Sequence, residues 1–129
     1  MRFIPTQAHG WIDYVLGVIL VISPWLLGFA AGGTETWVTL VLGLAVIAYS
    51  LLTDYELGAA KLIPMNVHLG IDIAVGIVLL VSPWLFNFAA LVWIPHVILG
   101  ILLIAAGVFT ETRHRRRAGA HEQERRAAA

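Results

Sequence analysis

The sequence predicts an all-α protein, a four-transmembrane-helix bundle built from two parallel two-helix repeats. Three observations lead there. Hydrophobic residues make up 60% of the chain and charged residues only 12%, with a mean hydropathy of +0.87; soluble domains average about 25% charged residues. One stretch is written twice: residues 4–31, IPTQAHGWIDYVLGVILVISPWLLGFAA, align without a gap to 63–90, IPMNVHLGIDIAVGIVLLVSPWLFNFAA, with 14 of 28 positions identical at an offset of 59. Finally, all 8 basic residues fall on one side of a four-helix arrangement.

The predicted helices come in order at about 10–29, 36–53, 67–88 and 92–110. Each predicted span has about the ~20 residues that cross ~30 Å of hydrocarbon at ~1.5 Å per residue. Strands of that length would leave backbone groups unpaired in lipid. The first segment resembles a signal peptide, but the same pattern recurs mid-chain, so a retained helix is expected. Residues 1–61 form the first repeat unit, 62–112 the second, and 113–129 a tail. The second helices repeat more weakly, at an offset of 57: Leu42-Gly43 matches Leu99-Gly100, Ile47-Ala48 matches Ile104-Ala105, and Thr53-Asp54 matches Thr110-Glu111. The tail, RHRRRAGAHEQERRAAA, is polar without apolar periodicity and reads as a disordered end.

Arg2, Lys61, Arg113, Arg115, Arg116, Arg117, Arg125 and Arg126 lie before helix 1, between helices 2 and 3, or after helix 4, whereas the other two loops carry only Glu35 as a charge. The positive-inside rule then places both termini in the cytoplasm of a multi-pass cell-membrane protein. With no cysteines, thiol catalysis, disulfides and thiolate metal sites are excluded.

In each copy the first helix ends in the same motif, Ser23-Pro24-Trp25 and Ser82-Pro83-Trp84. Proline lacks an N–H, so Pro24 frees the carbonyl of Leu20, and Ser23 can help to satisfy it. Trp25 stands where indole rings favour the membrane interface. A kink plus an anchor is the plainer reading, and a gating hinge the alternative. A two-helix unit carrying this motif, doubled and with a His and an Asp upstream, resembles the SPW repeat of small bacterial and archaeal membrane proteins. The resemblance covers roughly residues 4–111 and implies an integral membrane protein of undefined function, with no catalytic residues to carry over. Asn87 stands where the first copy has Gly28, which leaves the two helix endings free to differ.

His9, Asp13, Gly17, Leu20 and Pro24 are spaced by 4, 4, 3 and 4 residues, as are His68, Asp72, Gly76, Leu79 and Pro83. Such spacing keeps each set within about an 80° arc of its helix. The expectation is that helices 1 and 3 meet along these stripes, at Gly17 and Gly76, with helices 2 and 4 outside them using Gly43 and Gly100. His9, Asp13, His68 and Asp72 would then make one polar cluster, joined by Asp54 and Glu111 from the ends of helices 2 and 4.

A carboxylate inside the membrane is costly unless paired. The plainer reading of the cluster is a hydrogen-bonded clip between repeats. The alternatives are an ion site, where nitrogen and oxygen donors suit Zn, Mn or Fe, and a proton relay. Tyr14, Tyr49 and Tyr55 read as packing or interface residues, and His96, His114 and His121 as bland.

No motif fixes a reaction or a cargo. The expected function is structural or interactive within the lipid bilayer, compatible with a homo-oligomer, with no catalysis, cofactor or nucleic-acid partner. The alternative is a small oligomeric transporter or channel subunit that passes a metal ion or protons through the His/Asp cluster.

Overall fold

A computed structural model describes the backbone of residues 2–112 and 115–129, and the side chains of all of these except 115–121. Arg113 and His114, and the side chains of Arg115, Arg116, Arg117 and His121, therefore lie outside the described part. The elements in order are α1 (Thr6–Leu26), α2 (Thr34–Leu51), α3 (Met65–Leu85), α4 (Ile94–Phe109) and α5 (Arg115–Ala128).

The repeated Ile-Pro sets the start of each repeat. Pro5 and Pro64 are extended, at φ −62° and −61°, and the helix begins with the next residue. Proline suits this place because its φ is already fixed and it has no N–H to orphan. α1 and α3 thus begin before the apolar run, and the polar residues up to His9 and His68 are helical.

Ser-Pro-Trp and the turn immediately beyond it set the helix ends. Ser23 Oγ donates to the Leu20 carbonyl (2.9 Å) and Ser82 Oγ to the Leu79 carbonyl (2.7 Å), the acceptors that proline orphans. Beyond Leu26 and Leu85, Gly28 (φ +77°) and Asn87 (φ +60°) both turn left-handed. Phe29 N–H and Phe88 N–H then reach back to the carbonyls of Pro24 and Pro83, each at 2.8 Å. The two endings therefore share this left-handed turn, because asparagine is the residue after glycine that best tolerates this conformation. Trp25 and Trp84 are exposed, consistent with anchors.

Two expectations need correction here. α4 has 16 residues and is shorter at both ends than the predicted 92–110: Trp93 is still non-helical, Pro95 sits in the first turn, and Thr110 is already extended. The segment 115–128 is helical rather than disordered, rich in alanine, arginine and glutamate, with an i,i+4 contact of 3.3 Å between Arg126 and Glu122.

α1, α2 and α3 are long and apolar enough to cross a membrane, and α4 is a shorter apolar helix. The four stand in cyclic order, with α1 packed most closely on α2 and α3 on α4. Glycines allow both close pairs. A Cβ on Gly43 would lie 2.8 Å from the Gly17 carbonyl oxygen, and one on Gly100 would lie 2.7 Å from the Gly76 carbonyl oxygen. Gly17 and Gly76 therefore face their own repeat's second helix, and not each other. Each step of four residues advances about 40° round a helix, so Gly17 looks about 80° away from His9, toward the adjacent helix.

Leu16, Leu20, Val46, Leu79, Leu99 and Leu103 fill the centre. Val15, Val18, Val41, Leu44, Ile77 and Ile101 are exposed on the outside, an apolar face that only lipid or another apolar surface can cover. At the end bearing both termini, two short extended pairings mirror each other: Ile4 with Thr110, and Ile63 with Thr53. Asp54 N–H donates to the Ile63 carbonyl (2.8 Å) and Glu111 N–H to the Ile4 carbonyl (2.9 Å). The two repeats are thus stitched together at the chain level as well as by helices.

Candidate functional site

The site lies in the first turns of α1 and α3, beside those two pairings. His9 and Asp13, like His68 and Asp72, are one helical turn apart and share a face. All four side chains are fully buried. His9 Nε2 lies 2.8 Å from Asp72 Oδ2 and 3.0 Å from Asp13 Oδ2. His68 Nε2 lies 2.7 Å from Asp13 Oδ2 and 3.3 Å from Asp72 Oδ2. The two Nε2 atoms are 3.3 Å apart, with the rings edge to face. The shorter contact of each histidine is to the aspartate of the other repeat. One central cluster therefore forms, as expected, although the helices beneath it are not in direct glycine contact.

The second nitrogen of each ring is also held from the other repeat. His9 Nδ1 is 2.8 Å from Thr110 Oγ1, and His68 Nδ1 is 2.6 Å from Thr53 Oγ1. Tyr49 on α2 donates to Asp72 Oδ1 at 2.6 Å, and Ser50 Oγ reaches Asp13 Oδ2 at 3.3 Å. Asp13 Oδ1, also buried, has no hydrogen-bond partner among the described residues. The asymmetry has a sequence cause: at the offset of 57, Tyr49 corresponds to Ala106, so only Asp72 receives a phenol.

Asp54 and Glu111 do not join the cluster. The group of carboxylates and imidazoles that converges contains His9, Asp13, His68 and Asp72 alone among the described residues. Thr53 and Thr110 sit on extended backbone, where successive side chains point to opposite sides. Both threonines turn inward, whereas Glu111 is exposed and Asp54 is half-buried outside the cluster. The repeated Thr-Asp/Glu pair contributes its threonines to the cluster instead of its acids, and Tyr49, expected as a packing residue, contributes a phenol that no repeated pattern marks.

The cluster is capped at its end of the bundle. Tyr55 is fully buried, its ring 5.8 Å from that of His68, and it lies across Gly10, where a Cβ would collide with it. Tyr14 Oη donates to the Leu57 carbonyl at 2.8 Å and fastens the same loop to α1. Met65 and Leu69 close the side next to Tyr55.

At the opposite end His96 is fully buried as well. Its Nε2 donates to the Glu35 carbonyl (3.0 Å), and its ring lies between Phe29 and Phe88, at 5.3 and 4.8 Å. It is a tie from α4 to the start of α2 and stands apart from the His/Asp cluster.

The SPW repeat domain model matches residues 7–110, and so spans both Ser-Pro-Trp motifs and both His-Asp pairs. The chain belongs to the SPW repeat family. Neither the curated proteins nor the solved structures gave a match. In this SPW repeat protein the motif that names the family shapes the helix ends, whereas the polar chemistry is concentrated some 15 residues earlier, where the two repeats interlock.

Proposed function

We propose that this SPW repeat protein is a non-catalytic structural and interaction protein of the cell membrane, resting in the lipid bilayer with no nucleic-acid partner. Its four apolar helices cross the membrane, and both termini and the loop of residues 54–62 face the cytoplasm. The orientation rests on Arg2, Lys61 and the basic tail, set against two opposite loops without Lys or Arg. The exposed apolar faces of the helices suit lipid and, equally, a second copy of the chain.

The observation that carries this reading is the enclosure of the His/Asp cluster. A substrate must reach a catalytic centre, and an ion must pass through a conducting one. His9, Asp13, His68 and Asp72 are all at 0% exposure, and each histidine is fixed at both nitrogens by the other repeat. Such a closed network holds helices together.

Reconstitution tests the proposal. Full-length protein in vesicles, loaded in turn with a pH-sensitive and a Zn2+-sensitive dye, should give no flux above protein-free vesicles. Flux of either ion that disappears in Asp13→Asn would replace this reading with an oligomeric transporter or channel subunit. The observation that favours that second reading is the buried Asp13 Oδ1 without a partner, in a place where an unpaired carboxylate oxygen is costly.

A further inference from the structure

The threonines settle which nitrogen of each imidazole carries the hydrogen. A hydroxyl has one proton, and both threonines give it to a carbonyl, which can only accept: Thr53 Oγ1 to Tyr49 O at 2.7 Å, and Thr110 Oγ1 to Ala106 O at 2.6 Å. Toward the imidazoles both threonine oxygens are therefore acceptors, so Nδ1 of His68 and of His9 each carries a proton. The neutral rings then present their Nε2 lone pairs to one another across 3.3 Å. Two carboxylate oxygens face the same point, and the four Nε2–Oδ2 separations run from 2.7 to 3.3 Å. Without a positive centre this is four acceptors converging inside a low-dielectric bundle.

The geometry points to one divalent first-row transition-metal ion, zinc foremost, bound by His9 Nε2, His68 Nε2, Asp13 and Asp72 as a structural centre between the repeats. The donor set is two imidazoles and two carboxylates, which suits zinc and its neighbours and is poor for calcium or magnesium. Two carboxylates balance the double charge, so the burial cost of a net charge is avoided. Tetrahedral zinc, at ~2.0–2.1 Å from nitrogen or oxygen, places its ligand atoms about 3.3 Å from one another. Of the five separations that involve a nitrogen, two are already 3.3 Å, and the others are 2.7, 2.8 and 3.0 Å. Small outward shifts complete the polyhedron.

The surroundings match as well. Metal-bound histidines typically donate their other N–H to a fixed acceptor, the place filled here by Thr53 and Thr110, and Tyr49 holds Asp72 by its outer oxygen. Asp13 Oδ1, buried and without a hydrogen-bond partner among the described residues, is an oxygen on a ligand side chain free to serve as a fifth donor. Two protons in place of the ion would also balance charge, with His9 Nε2–H donating to Asp72 and His68 Nε2–H to Asp13 at 2.8 and 2.7 Å, and metal uptake is what separates the two arrangements.

Metal analysis of the full-length protein in detergent tests this. The purified protein should carry about one equivalent of zinc or a neighbouring metal per chain. After chelation it should take up one Co2+, with the visible absorption of low-coordinate cobalt, and lose that band on titration with Zn2+ alone. His68→Gln and Asp13→Asn should each reduce uptake at least tenfold. Because either variant could fail to fold, Thr110→Val is included, with an intact ligand set and a weaker site as the expected result. Unfolding on chelation that Zn2+ reverses counts in favour, since metal binding is then part of folding. A chelated protein that keeps its circular dichroism and thermal transition, yet takes up neither Zn2+ nor Co2+, overturns the inference. That result would leave the non-conducting role of the protein standing, because vesicle flux reads it separately.

Discussion

At the scale of single residues, the two threonines govern the site while carrying no charge. Each joins a helix-end carbonyl to the imidazole of the other repeat, so replacing either with valine removes an acceptor and a donor without changing shape. Thr53→Val and Thr110→Val should each cost about 1–3 kcal/mol, the usual penalty for leaving buried partners unsatisfied, read as a lower melting temperature in detergent. Tyr49→Phe should cost a similar ~1–3 kcal/mol by stripping Asp72 Oδ1. Ala106→Ser is the opposite experiment on the half that lacks a phenol, and its melting temperature tells whether Asp13 Oδ1 can be reached from α4. The four ligating side chains were legible in the sequence because they repeat and because a membrane helix rarely carries such residues without a partner. Thr53 and Thr110 were visible as a repeated pair but were overshadowed by the acids beside them. Only backbone direction separates the two, and the repeat pattern does not contain it.

At the scale of the element, Ser-Pro-Trp works as a helix terminator with its own repair. The proline removes one hydrogen bond and the preceding serine replaces it, so the helix ends without an orphan carbonyl. Ser23→Ala should therefore cost about 1 kcal/mol, and Pro24→Ala should leave membrane insertion intact while changing packing modestly. A crosslink or fractionation assay that found Pro24→Ala absent from the membrane would assign the motif a different role. The turn after it is conformationally strict: Gly28→Ala forces a left-handed alanine at a cost of about 1–2 kcal/mol, whereas Asn87→Gly should be neutral or slightly stabilising. Gly43→Leu is the severe change, because the Gly17 carbonyl occupies the space and is backbone. The small-residue stripe was readable from spacing. Its partner was not, since an arc of about 80° is wide enough for one end to face the diagonal helix and the middle to face the adjacent one.

At the scale of the whole molecule, the four apolar segments and the one-sided charge were plain from composition, and the cyclic packing results from short connections between close pairs. The absence of cysteine makes the topology simple to test. Ala31→Cys should react with an impermeant thiol reagent in intact cells and Ala128→Cys should not; labelling of both would overturn the orientation. The exchange of partners at the centre has a further consequence. Neither repeat owns a complete site: His9 depends on Asp72 and Thr110, and His68 depends on Asp13 and Thr53. Two copies of a single half-length unit would suffice to build the same centre, each supplying what the other lacks. Within one chain the two halves are free to differ, as they do at Tyr49 opposite Ala106. Cut again within residues 56–61, the protein should behave as obligate companions: each fragment degraded when made alone, and both recovered together when made in the same cell.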